Sequence, residues 1–288
     1  MSGPRHACAP DHGRGLPSHT AVVLAAAATL TGARVGTWVY AAPVRPAYIT
    51  AWEAHSLSVV TDGRFEMGIG TGRPGIADQL RRLGLPDVPA GQRAELVRQV
   101  ITTLRELDGD ERHTPVAMAV GGPKAHAVAS ELADIVNFVM PHIETRTQTA
   151  QRVRAFDNRH GLELSLHVPV IGDAVAPFMA GPDTDIEAVR AADSVSYLPS
   201  DPGAAKEEIL RRREEMGFTY FVFGASVAGA LGPVVAELAG QETAGKSLWM
   251  RCQSWAMAVR MFRRAARAAG GIAAMAPTRA ASPRYASS

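Results

Sequence analysis

The sequence has few cysteines, few aromatic residues and no long apolar run. Its two cysteines, Cys8 and Cys252, stand near opposite ends of the chain, so neither a disulfide framework nor a metal-type cysteine spacing is available. No window reaches the roughly 18 apolar residues that a membrane-spanning helix needs. The longest apolar run, 21–30, is too short, and no signal-peptide pattern precedes it. These absences predict a cytoplasmic protein with no membrane partner.

Motifs that carry chemistry are also scarce. The sequence has no Walker or Rossmann glycine spacing, no nucleophile elbow and no zinc-protease motif. The histidines at positions 6, 12 and 19 are irregularly spaced, so no metal site is predicted. Glu66 could face inward as an acid or base, although we expect it to pair with a basic residue such as Arg64 or to face a packed helix. Weak support for side-chain catalysis favours chemistry carried by a cofactor.

Apolar runs and segments with helical periodicity alternate along the chain. Short continuous apolar runs predict strands, whereas apolar residues at 3.6-residue spacing predict amphipathic helices. Their alternation argues for an α/β fold with a parallel sheet. The six predicted strands are 33–40, 64–70, 115–120, 134–139, 162–171 and 218–223. The predicted helices are 20–30, 46–60, 92–107, 123–132, 145–160, 183–193, 204–216 and 227–238.

Two of these segments carry more specific expectations. The helix after Pro46 is predicted to turn an apolar face of Ile49, Trp52, Leu57 and Val60 towards its neighbours. Residues 173–201 are less regular and are predicted to cover one end of the sheet.

Composition divides the chain into three parts. Residues 1–20 are rich in Gly, Pro, Arg and His and are predicted to be a disordered leader, and residues 21–241 form the α/β domain. The tail, 242–288, carries one lysine, seven arginines and one glutamate, a net charge of +7 in a protein whose total is +2. It could form a basic helix from 247 to 269 and, if it has a partner, would meet polyanions.

Two strands end in glycine-rich junctions. The first runs into Gly70-Thr71-Gly72, and the second ends at Gly121-Gly122, where Pro123 and Lys124 open a helix. Glycines let a ligand approach the backbone, and a helix N-terminus attracts negative charge. The second junction could therefore bind a phosphate, although a glycine after a strand is often only a tight turn.

The order of these segments resembles the bacterial luciferase-like flavin and deazaflavin oxidoreductases. The similarity covers about residues 21–241, and the first strand of this chain matches the third strand of that family. The residues that carry the resemblance are 34–37, 45–46, 62–72, 120–124, 133–134 and 217–223.

This resemblance implies a TIM-type (β/α)8 barrel, incomplete because two strands have no counterpart, with a cofactor at the carboxyl ends of the strands. It implies coenzyme F-420, a deazaflavin, or alternatively FMN. It also implies a non-proline cis peptide where the strand matching Gly36 to Val39 ends. No catalytic residue is carried over, because in the family the two unmatched strands supply the residues beside the reactive face. The implied cofactor contacts are Gly36, Thr37, Trp38, Gly70, Thr71, Gly72, Gly121, Gly122, Pro123 and Lys124.

The function expected from the resemblance is hydride transfer, or oxygen insertion if the cofactor is FMN, on a small organic substrate. We expect a homodimer without specific nucleic-acid binding. Two other hypotheses stay open at this point. One is a non-catalytic relative that acts through oligomerisation or a partner chain, and the other is polyanion binding by the tail.

Overall fold

In the computed structural model of the chain, a curled parallel sheet alternates with helices that cover its outer face. The structure describes residues 18–30, 33–158, 160–176, 179–181, 183–224, 226 and 228–238, and the backbone of 242–243, 246–247 and 249–253. The strands are β1 (Val35–Gly36), β2 (Tyr40–Ala41), β3 (Phe65–Gly70), β4 (Val116–Val120), β5 (Ile135–Phe138), β6 (Glu163–Val168), β7 (Val170–Ile171), β8 (Ala174–Val175), β9 (Tyr197–Leu198), β10 (Phe218–Gly224), β11 (Glu242–Thr243), β12 (Lys246–Ser247) and β13 (Trp249–Gln253).

The eight predicted helices are present in the predicted order, and the helix over Ile76–Arg82 is one that the sequence analysis missed. A short 3-10 turn, Ala42–Val44, precedes the second helix. The α-helices are α1 (His19–Thr29), α2 (Ala47–Val60), α3 (Ile76–Arg82), α4 (Ala90–Asp108), α5 (Pro123–Leu132), α6 (Arg146–Ala155), α7 (Ile186–Ala191), α8 (Pro202–Met216) and α9 (Ala228–Leu238).

The main sheet has the order β1-β3-β4-β5-β6-β10-β13, and β2 also pairs with β3. Every pairing along this path is parallel. Strands β3 and β10 are buried along their whole length, which explains why they read as continuous apolar runs. All six predicted strands have counterparts in the structure, although 33–40 and 162–171 are each broken into two shorter strands. The main sheet forms an incomplete TIM-type barrel.

The first predicted strand is interrupted. The run 33–40 forms only the short pieces β1 and β2, and the peptide between Trp38 and Val39 is cis, where the resemblance implies a cis bond. Between the two pieces the Thr37 hydroxyl lies 3.0 Å from both the backbone nitrogen and the carbonyl oxygen of Gly68. Segment 37–39 is therefore held on β3 by a side chain in addition to the strand ladder.

The predicted apolar face of α2 is wrong except at Leu57. Ala51, Ala54 and Leu57 are buried, whereas Trp52 is 53% exposed and Val60 64% exposed. Small residues face the core because α2 packs closely against α1 and α4. The larger side chains are left on the outer surface.

The chain ends differ from expectation where they are described. Ser18 caps α1, so the predicted leader gives way to a helix at this residue. The rest of the predicted leader, 1–17, lies outside the described residues. In the tail, β13 pairs with β10 over Trp249–Gln253, within the stretch 247–269 that could have formed a basic helix. The remainder of the tail, 254–288, lies outside the described residues. None of the described helices is long and apolar enough to cross a membrane.

Candidate functional site

The inner face of the sheet carries one row of aligned side chains. Strand register pairs Gly70 with Ala119, Ala119 with Asn137, Asn137 with Ser165, and Ser165 with Tyr220. Side chains alternate along a strand, so these five residues share one face. The residues of this row are small on β3 and β4, polar on β5 and β6, and aromatic on β10.

A buried carboxylate ties the two sides of the sheet together. Glu66 is 3% exposed, its Oε1 lies 3.1 Å from Arg34 Nη1, and its Oε2 accepts a hydrogen bond of 2.9 Å from the Tyr220 hydroxyl. The prediction that Glu66 pairs with a basic residue is confirmed, but that residue is Arg34, whereas Arg64 donates to the carbonyl groups of Leu30 and Ala33. Glu66 does face inward, but both of its oxygens are engaged.

The glycines of β3 allow other segments of the same chain to pack closely against the strand. A Cβ added at Gly68 would lie 2.2 Å from the Thr37 carbonyl oxygen, and one at Gly70 would lie 3.3 Å from Val39 Cγ2. Gly72 adopts a φ of 88°, and its missing Cβ leaves space for Ile76 at the start of α3. At 68, 70 and 72, glycine is thus explained by close packing inside the chain.

The residues that the resemblance implies as contacts of the cofactor lie next to these closely packed glycines. Gly36 pairs with Glu66 in the sheet, and Thr37 binds Gly68. Trp38 is partly buried against an inner apolar cluster that contains Tyr220 and Val222. Thr71 follows directly after β3, half-buried at the carboxyl end of the strand.

The second glycine junction is open. Gly122 is the N-cap residue of α5, and apart from its chain neighbours no atom of the described residues lies within 4 Å of where its Cβ would stand. Pro123 occupies the first turn, and no side chain caps the backbone N–H groups at this helix end. The Lys124 side chain is bound outside this junction, because its Nζ donates to the Gly91 carbonyl oxygen at 3.3 Å. The junction thus offers backbone donors, with the lysine engaged elsewhere.

Residues 174–176 and 179–181, called the cover segment, lie against the inner face, within the stretch 173–201 that the sequence predicts to cover one end of the sheet. Ala176 and Met179 pack with Ala117, Tyr220 and Val222. A Cβ added at Gly224 would stand 2.3 Å from the Ala176 Cβ, so the glycine that ends β10 permits this approach.

Two histidines stand close together under the cover segment. Burial lowers the pKa of His142, which also hydrogen-bonds to the backbone of Met179. Burial and the neighbouring His142 lower the pKa of His167 to about 4, so both rings are neutral at physiological pH. The site can therefore donate and accept hydrogen bonds here without contributing a charge.

Sequence reasoning did not single out Asn137, Ser165 or His167 as site residues. The available signal is the alternation in β6, where Ser165 and His167 alternate with Leu164, Leu166 and Val168. Such alternation on a parallel strand buried on both sides indicates a polar inner face.

Comparison with known proteins supports the fold. No family model matches the sequence, and no curated protein is similar to it in sequence. DmoA from Hyphomicrobium sulfonivorans has a TM-score of 0.58 at 12% identity, over 93% of this chain and 83% of its own. The coenzyme F-420 dependent tetrahydromethanopterin reductase from Methanopyrus kandleri has a TM-score of 0.53 at 14% identity, over 76% and 86%.

EDTA monooxygenase (EmoA) from Chelativorans sp. BNC1 has a TM-score of 0.53 at 14% identity, over 75% of this chain and 76% of its own. These structural neighbours are luciferase-like oxidoreductases, so the resemblance is confirmed at the level of the fold.

Proposed function

We propose that the protein is a luciferase-like oxidoreductase that binds coenzyme F-420, with FMN as the alternative, and acts on a small organic substrate. The observation that carries the proposal is the open N-terminus of α5 at Gly122, which follows the carboxyl end of β4 in an incomplete barrel of this family's fold. Similarity to an F-420 dependent reductase and to a monooxygenase supports both chemistries. When bound, the cofactor ring would supply hydride transfer or, as a flavin, oxygen activation.

The residues fit such a group in two places. The backbone donors after Gly122 would hold the cofactor phosphate, since a helix N-terminus combines free N–H groups with a favourable dipole. The inner face would hold the ring near Trp38, where apolar contacts and neutral polar groups replace water. The cover segment would keep solvent away from this face.

We expect that Gly122→Asp weakens FMN binding at least about tenfold, because its carboxylate would occupy and repel the phosphate position. Gly122→Ala is the matched control, since its Cβ would enter open space and it brings no side-chain oxygen that could bind the helix N–H groups. Riboflavin, which has no phosphate, should bind both variants alike. Fluorescence titration measures all of these affinities.

Absence of binding of both F-420 and FMN to the wild-type protein at high micromolar concentration would remove the proposed function. An equal effect of the Asp and Ala variants on FMN binding would instead show that the phosphate does not lie at Gly122.

We also propose that the protein is a homodimer that associates through the outer face of α2. Tyr48, Ile49, Trp52, Val59 and Val60 are 39–64% exposed on this one helix. An apolar patch of this kind typically marks an interaction surface. If the protein dimerises but binds no cofactor, the same patch favours the alternative function, a non-catalytic relative that acts through oligomerisation.

Trp52→Lys should raise the dimer dissociation constant at least about tenfold, because a central aromatic residue usually dominates such an interface. Leu83→Lys is the control, since Leu83 is 41% exposed at the end of α3 and away from α2. Sedimentation velocity over a concentration series measures the change. A monomeric wild-type protein at all concentrations would refute the dimer.

A further inference from the structure

We propose that Asn137, Ser165 and His167 form a subsite for a neutral ligand group that carries an N–H and a carbonyl close together. Together these three residues form the polar cluster. Asn137 on β5 is the direct strand partner of Ser165 on β6, and His167 lies two residues further along the same face of β6. The inference deepens the proposed function and rests on it only for the choice of the first probe.

Each member of the polar cluster has a buried atom without a protein partner. Asn137 is 5% and Ser165 1% exposed, and neither Asn137 Oδ1 nor Ser165 Oγ has a hydrogen-bond partner within the described part of the chain. The same holds for Nε2 of His167, although part of its ring is exposed. Buried polar atoms in folded proteins are nearly always satisfied. Three unsatisfied atoms on neighbouring positions of one face therefore indicate a ligand.

The chemistry of the cluster favours a neutral ligand over an ion. Its members and their row neighbours Ala119 and Tyr220 include no lysine or arginine. The nearby charged pair, Arg34 and Glu66, is already joined by a contact of 3.1 Å. An anion would find no counter-charge in the row and would lose its hydration there. An adjacent N–H and carbonyl can instead pair with the carboxamide and hydroxyl groups together.

The walls around the cluster suit a flat group. Tyr220 and Val222 on β10 line one side, and Met179 of the cover segment packs against them together with Trp38. His142 connects the segment to the cluster, because it hydrogen-bonds to the Met179 backbone and lies near His167. Two sources present the required chemistry, namely the pyrimidinedione edge of a flavin or deazaflavin and a lactam or amide substrate.

The decisive experiment measures stability and binding in the same variants. Ser165→Ala and Asn137→Leu remove groups that have no protein partner, so the melting temperature should stay unchanged or rise by about 2–4 °C per group. The affinity for the ligand should fall about tenfold for each variant. A purely structural polar residue would do the opposite, since its removal lowers the melting temperature and leaves ligand binding unchanged.

Ser58→Ala is the matched control. Ser58 is 0% exposed and its Oγ also has no partner among the described residues, but it lies on α2 and not on the inner face of the sheet. We expect Ser58→Ala to change the melting temperature as Ser165→Ala does while leaving ligand affinity unchanged.

Two probes separate the possible sources. Riboflavin, followed by fluorescence, presents the pyrimidinedione edge, and 2-pyrrolidone, followed by saturation-transfer NMR of its own resonances in the wild-type protein and in both variants, presents a lactam alone. Weaker riboflavin binding in the variants, with displacement of 2-pyrrolidone by riboflavin, assigns the cluster to the cofactor ring. Weaker binding of 2-pyrrolidone that riboflavin does not displace assigns the cluster to the substrate.

The outcomes also distinguish this inference from the proposed function. If 2-pyrrolidone binds through the cluster but FMN, F-420 and riboflavin do not bind, the proposed function fails and the subsite stands. If FMN binds the wild-type protein and neither variant weakens either probe, the subsite is refuted while the proposed function stands. A lower melting temperature for Ser165→Ala, with unchanged binding, likewise refutes it.

Discussion

Gly68→Ala is expected to lower the free energy of unfolding by about 3 kcal/mol or more, at the upper end of what overpacking usually costs. The added Cβ would lie 2.2 Å from the Thr37 carbonyl oxygen and 3.0 Å from its carbonyl carbon. Both are backbone atoms, and Thr37 is held in place by its hydroxyl contacts with Gly68 itself. Neither β3 nor segment 37–39 can move away without breaking sheet contacts. Urea denaturation followed by circular dichroism measures the change.

Gly70→Ala is the matched control on the same strand. Its Cβ would approach Ala119 Cβ and Val39 Cγ2 at 3.3 Å, and side chains can yield by a few tenths of an ångström. We expect the free energy of unfolding to change by less than about 1 kcal/mol. Equal losses of unfolding free energy in the two variants would contradict this explanation, because they would mean that a methyl group added anywhere on β3 destabilises the fold to the same extent.

Arg212→Met is expected to cost about 3–5 kcal/mol, the range for breaking a buried ion pair from one side. Arg212 is 1% exposed, and burial lowers the pKa of its guanidinium to about 10. The guanidinium donates to the carbonyl oxygens of Val195 and Tyr197 and, at 2.8 Å, to Glu208. Its removal leaves without this donor the buried carbonyl group of Val195, just before β9, and the part-buried carbonyl group of Tyr197, in β9. Chemical denaturation measures the loss.

The neighbouring Arg211 supplies the control. Its side chain is 47% exposed and contacts Glu215 at 3.0 Å on the surface of α8. Arg211→Met should change stability by less than about 1 kcal/mol, since exposed ion pairs contribute little. If both arginine variants lost the same stability, the cost would come from the charge of α8 and not from the buried hydrogen bonds.

The two glycine junctions have different consequences for function. At 68, 70 and 72 the missing side chains are explained by contacts inside the chain, whereas the space at Gly122 is open. The roles of all ten residues that the resemblance implies as cofactor contacts, Gly122 included, stay predictions, which the titrations with FMN and riboflavin address.

The strands and helices could be predicted because they are encoded locally. A buried parallel strand such as β10 must be apolar on both faces, and an amphipathic helix such as α4 repeats its apolar residues every turn. The burial of Val97, Val100, Ile101 and Leu104 confirms this for α4. The helix α2 failed the same test, because small residues that pack closely do not stand out in a hydrophobic pattern.

The sequence by itself determined the order of strands and helices, the glycine-ended strands and the resemblance to a luciferase-like barrel. These features depend on neighbouring residues and on their spacing along the chain. Only the tertiary structure decided which side chains meet: Tyr220 donates to Glu66 across 154 positions, and Asn137 stands beside Ser165. It also decided that segment 37–39 packs against the glycines of β3. The physical reason is that a contact between distant residues depends on register and curvature of the whole sheet, which no local pattern encodes.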